Sequence, residues 1–121
     1  MELEPVSVEG TIHTFVVPPR IKEVQITSRS GLVASEKGKR ASRFGIAIGR
    51  IVVRTARMIR EVPLDHPLLG RGFHPCERDG NRQWRWSKGV ANVPLFPLTI
   101  DDLTPVQLEI HLHAKLSSYD V

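Results

Sequence analysis

Residues 106–115 read Val106-Gln107-Leu108-Glu109-Ile110-His111-Leu112-His113-Ala114-Lys115. Apolar and polar side chains alternate through this stretch. Val106, Leu108, Ile110, Leu112 and Ala114 fall on one side, and Gln107, Glu109, His111, His113 and Lys115 on the other. A helix, with its period of 3.6, would smear both sets around its circumference, so the stretch is a strand with one dry face and one wet face. A dry strand face needs a second layer to cover it, and the rest of the chain supplies short extended segments for that purpose.

Working outward, Ile21 to Ser28 is a second strand, with Val24 and Ile26 on one face and Glu23, Gln25 and Thr27 on the other. Thr11 to Val17 is a third, rich in β-branched residues and ended by Pro18-Pro19, which lack backbone donors. In Phe44 to Arg54, the residues Phe44, Ile46 and Ile48 share a face, after which Ile51 and Val53 follow out of phase. One extra residue at Gly49-Arg50 restores the phase and predicts a β-bulge there. Arg57 to Val62, Gln83 to Ser87 and Ala91 to Leu95 complete the strand set, and Asp101 to Thr104 reads as a single helical turn. Pro63 to Asn81, rich in proline and glycine, reads as a long irregular connection. With about seven or eight short strands and no long amphipathic helix, the expected fold is all-β: a single antiparallel β-sandwich, jelly-roll or Ig-like, over residues 1–121. Residues 1–9 are expected to be a flexible N-terminal segment.

Composition agrees with one domain. The chain has 121 residues, 40% of them apolar and 25% charged. A single apolar core is feasible at that length without staples, and the lone cysteine, Cys76, excludes an internal disulfide framework. No run approaches the roughly eighteen apolar residues a membrane span needs. The opening MELEPVSVEG has no apolar core of a signal peptide, which leaves cytoplasmic residence or leaderless export as the expected localisations.

The formal charge is +4, unevenly spread: residues 20–88 carry 16 basic and 6 acidic side chains, while the remainder carries 1 basic and 7 acidic. The densest basic run includes Lys37, Lys39, Arg40 and Arg43. These four are the candidate contacts for an anionic polymer. Nucleic acid is disfavoured as the partner, because no helix-turn-helix or RNA-binding aromatic pattern accompanies the run; a solvated loop is the simpler account of it.

Candidate chemistry is sparse. His111 and His113 share a strand face with Glu109, a pattern that any wet face produces and that falls short of the three or four converging ligands of a metal site. No metal or other cofactor is implied. His74 and Cys76 suggest a nucleophile and base, but Pro75 between them extends the backbone and works against pairing. Asp65-His66 lacks a serine in an elbow motif. Glu77 with Asp79, and Asp101 with Asp102, lack a spacing that would make them a glycosidase pair. The expectation is a protein that is not an enzyme.

Trp84-Arg85-Trp86 is the most informative triplet. In a strand both indoles project to one face and Arg85 to the other. The indoles are either the largest members of the core or a stacking platform for sugar rings, with Arg85, Asp79 or His74 bonding the hydroxyls. The core reading is favoured, because the chain has only 4 Phe and 1 Tyr besides.

Several blocks in order resemble a known arrangement: Ile26-Thr27-Ser28-Arg29-Ser30, Arg43-Phe44-Gly45-Ile46-Ala47-Ile48, Leu64-Asp65-His66-Pro67, Gly70-Arg71-Gly72-Phe73-His74-Pro75-Cys76-Glu77 and Trp84-Arg85-Trp86-Ser87. Across residues 21–117 this resembles the accessory region that follows the Hint (hedgehog/intein-like) domain in some bacterial proteins, a segment also attached to glycan-handling proteins. The resemblance implies a β-sandwich accessory module with no reaction of its own. Phe73 stands where the family often has Trp, which adds it to the candidate ligand-binding residues. Ser87-Lys88-Gly89 replaces the family's Thr-Asp-Gly and removes an acid at that point.

The expected function is therefore a non-catalytic accessory or binding module, with glycan as the leading ligand and Trp84, Trp86, Arg85, Phe73, His74 and Asp79 as its site. The alternative is a structural module that self-associates or meets a partner protein through its edge strands, giving a homo-oligomer in the first case.

Overall fold

The structure is a computed structural model describing residues 6–33, 42–56, 58–67, 69–95 and 105–115. Those residues form eleven strands and no helix. The larger sheet has seven: β1 (Ser7–Glu9), β2 (Ile12–Val17), β6 (Ile46–Arg54), β7 (Ile59–Val62), β8 (Glu77–Asp79), β9 (Arg82–Trp86) and β11 (Val106–Lys115). Their order is β1-β2-β11-β6-β9-β8, with β7 also paired to β6. A second sheet joins β10 (Val90–Pro94) to β3 (Glu23–Thr27), and a hairpin joins β4 (Gly31–Val33) to β5 (Ser42–Phe44). Every pairing is antiparallel.

The alternating stretch is β11, the central strand between β2 and β6. Val106, Leu108 and Ile110 are buried against Val17, Ile48, Ile51 and Val53 from the neighbouring strands. The covering layer comes from Ala91 and Val93 of β10, Val24 and Ile26 of β3, and Leu64, Leu69 and Phe73 from the connection after β7. Burying side chains of this kind stabilises by roughly 1.5–3 kcal/mol each before conformational entropy is counted. The sandwich is thus closed partly by a second sheet and partly by a loop.

The bulge expected at Gly49-Arg50 is present. His111 pairs with Arg50 and Leu112 with Ile48, which leaves Gly49 as the extra residue. That shift brings Ile48 and Ile51 to one face. A second shift follows on the partner strand, where Leu112 pairs with Ile48 and Ala114 with Ala47, leaving His113 extra. The two bulges face each other: a Cβ at Gly49 would lie 3.3 Å from the Cβ of His113.

Other expectations need correction. Eleven strands replace seven or eight, because several pairings last only three residues. Ser7–Glu9, inside the segment expected to be flexible, is hydrogen-bonded to β2 as β1. Phe44 does not join Ile46 and Ile48 in the core, since Gly45 breaks the strand before β6. The connection 63–81 contains β8 and a bridge between Phe73 and Ser87. The helical turn expected at 101–104 lies outside the described residues, as do Lys37, Lys39 and Arg40.

The chain changes sheets at Ser87-Lys88-Gly89, between β9 and β10. Gly89 has a φ of 107°, in the left-handed region open to glycine. Ser87 is fully buried, and its hydroxyl accepts from the backbone N–H of Ile46 at 3.1 Å and of Gly89 at 3.4 Å. Residues 71–74 then run along this corner. Asn92 N donates to the carbonyl of Arg71, Lys88 N to that of Gly72, and His74 N to that of Trp86. Gly72, with φ of 80°, approaches β10 so closely that a Cβ would lie 2.6 Å from the Cα of Ala91.

Candidate functional site

Alternation on β9 divides its residues between two faces. Arg85 pairs with Ile48 and Trp86 with Ala47. Ile48 belongs to the core, so Arg85 faces inward and the indoles face outward. Trp84 and Trp86 are half-buried and lie outside the core cluster, which corrects the favoured core reading.

The outward indoles are part of a row of five rings. His113 stacks on Trp84 with centroids 4.5 Å apart and planes 4° from parallel. Trp86 meets Phe44 edge to face at 5.6 Å and 82°. Phe44 in turn stacks on His74 at 3.9 Å and 11°. The row crosses from β11 over β6 to β9 and on to β5. The two bulges favour its first step: Gly49 has no side chain to press on the Cβ of His113, and the extra residue at His113 redirects β11.

The site residues expected from sequence are only partly brought together. Trp84, Trp86 and His74 lie on the outer row. Phe73 is 4% exposed and packed in the core, where no ligand on the outer face reaches it. Arg85 is also withdrawn. Its Nε donates to the carbonyl of His74 at 2.6 Å, its Nη1 to the carbonyl of Leu64 at 2.9 Å, and its guanidinium lies 5.4 Å from the Phe73 ring centre. It fastens the covering loop to β9 instead of serving the indoles. Asp79 stands exposed at the end of β8, opposite Arg82. Arg43, the described member of the basic run, is exposed and donates to Ser30 Oγ at 2.8 Å.

The catalytic alternatives separate. His74 directs Nε2 to the carbonyl of Arg43 at 2.8 Å, while the Cys76 thiol points to the carbonyl of Trp84 at 3.5 Å. Asp65 binds Arg78 at 3.4 Å. Among the described residues no three metal-ligating side chains converge. His111 and His113, both on the wet face, have separate partners, since His111 Nε2 lies 3.3 Å from Glu109 Oε1.

Beyond Gly49 the same outer face carries charge. Glu109 bonds Arg54 and His111, and Arg50 pairs with Glu61 at 3.2 Å. The hydrogen bond from Arg54 is the main influence holding the Glu109 carboxyl below its ordinary value; burial opposes it, and His111 assists. Beneath these charges Val52 is 2% exposed.

Sequence reasoning missed Phe44 and His113 as members of the row. Both carry a local signal, an aromatic ring on a strand, but their partners lie far along the chain and depend on two register shifts. No family model matches the chain, and neither a curated protein nor a solved structure matches it.

Proposed function

We propose that this protein is a non-catalytic binding module that takes carbohydrate on the outer face of its larger sheet. The supporting observation is the half-buried Trp84 indole, held by His113 on one face and set in a row with Trp86 and Phe44. A fixed indole offers a sugar ring a flat apolar surface at little cost in side-chain entropy. The row lies on an open sheet face, which suits an extended chain of sugars. His74 and Cys76 are engaged apart from one another, so the reading assigns no reaction to the site. An accessory role beside a separate domain is consistent with the block order that resembles the Hint-associated region.

Stacking on one indole contributes about 1 kcal/mol, so affinities fall in the micromolar to millimolar range. Calorimetric titration of the whole chain against a panel of polysaccharides tests the proposal. Trp84→Ala is expected to weaken binding by roughly fivefold while the fold is kept. Absence of binding to every polysaccharide at millimolar sugar concentration overturns it.

A further inference from the structure

The outer face of the β8–β9 hairpin carries polar groups as well as indoles. Alternation puts Arg82 on the same face as Trp84 and Trp86, and the register sets Glu77 opposite Trp84 and Asp79 opposite Arg82. Glu77, Asp79 and Arg82 are all exposed. Glu61, Asp65 and Glu109 each hold a basic partner, whereas Glu77 and Asp79 have no ion pair among the described residues. Residues directly opposed in an antiparallel pair have Cβ atoms about 4.5–5.5 Å apart, which sets the Glu77 side chain beside Trp84 on that face. His113, reaching over from β11, occupies one face of that ring, so the other face is turned toward β8.

We propose that this hairpin face sets the specificity of the site and selects neutral, hydroxyl-rich glycans over acidic ones; the inference rests on the carbohydrate reading above. The face of Trp84 away from His113 packs on the C–H face of a sugar. A carboxylate is acceptor-only, with two oxygens, and matches the two donors of adjacent hydroxyls. Glu77 and Asp79 fill that role, and Arg82 donates to a ring or glycosidic oxygen. Bonds of this kind to a charged group are the stronger class. The same two carboxylates, offset only in part by the single Arg82 cation on this face, repel a uronate or sulfate placed on the indole, and such a repulsive element is how a site rejects a related ligand. The selection runs against the chain's overall charge of +4, which favours polyanions at long range.

Titration of the whole chain at an ionic strength of about 0.15 M, where long-range attraction is screened, separates the two effects. The probes are neutral β-glucan, mannan, xylan and galactan against polygalacturonate and hyaluronan. At least one neutral polymer is expected to bind, and the acidic ones about tenfold more weakly or not at all. The double substitution Glu77→Gln with Asp79→Asn, at exposed positions, is expected to weaken neutral-glycan binding about tenfold and to narrow the discrimination. Binding that depends on Trp84 but is untouched by the double substitution overturns the inference and leaves the carbohydrate reading standing, as does a preference for the acidic polymers. Absence of binding to all six polymers overturns both.

Discussion

Trp84 and His113 lie 29 residues apart in the chain and stack in parallel at 4.5 Å, beside a glycine on the strand between them. The stack needs the space that Gly49 leaves, because a Cβ there already falls 3.3 Å from the Cβ of His113. A branched side chain there would press on His113. Gly49→Val is therefore expected to destabilise the fold by about 1–3 kcal/mol. It also changes the tryptophan near-ultraviolet circular dichroism, as the stack opens. Urea unfolding with the same spectra checks both, and an unchanged spectrum would dissociate Gly49 from the stack.

Arg85 satisfies two carbonyl groups, those of His74 and Leu64, that the covering loop turns toward β9. Arg85→Met keeps much of the length but donates nothing, and leaves both acceptors without that partner. The expected loss is about 2–4 kcal/mol in urea unfolding. The Trp84 face is on the other side of the sheet, so the tryptophan near-ultraviolet circular dichroism of the folded fraction should be retained.

Ser87 sits at the turn between sheets with its hydroxyl on two backbone donors. Ser87→Ala removes that acceptor from a fully buried position and is expected to cost about 1–3 kcal/mol in chemical denaturation. A loss below a few tenths of a kcal/mol would mean that other acceptors replace it.

Glu109 is more acidic in the folded chain than its ordinary value of 4.5, chiefly through its bond to Arg54. A carboxyl with a depressed folded-state pKa stabilises the fold above its unfolded value, and that contribution is lost as pH falls through the folded value. Stability measured by thermal unfolding should fall from about pH 4.5 downward. In Glu109→Gln the protein should lose about 1–2 kcal/mol at neutral pH and show a shallower acid limb. Equal acid limbs in the two proteins would assign the slope to other carboxylates.

The layers were legible wherever one strand face is dry and the other wet. β3 carries that signal throughout and β11 as far as Leu112, after which the bulge at His113 pairs Ala114 with Ala47 on the outer face. The phase slip between Ile48 and Ile51 located the bulge at Gly49. Short pairings such as β1 and β8 gave no such signal, because three residues with none of them buried have no pattern to read. Trp84-Arg85-Trp86 divided correctly between two faces, but which face was inner depended on the strand beside it. Indoles are the most apolar-looking choice for a core and guanidinium the least. Here Arg85 goes inward because the carbonyls of a covering loop await it there, a requirement set by residues far away in sequence. Sequence alone reads Phe44 as a core residue and His113 as one of a histidine pair, not as members of the ring row, for the same reason: stacking partners are chosen by tertiary register, on which local alternation is silent.

The strap at 71–74 is bonded both to the corner after β9 and to β10. Amide protons on either side of it are consequently shielded by one shared opening event, so hydrogen exchange in β9 and β10 should follow a common rate instead of two. A sandwich fastened in this way presents its outer rings on a platform whose two halves cannot drift independently.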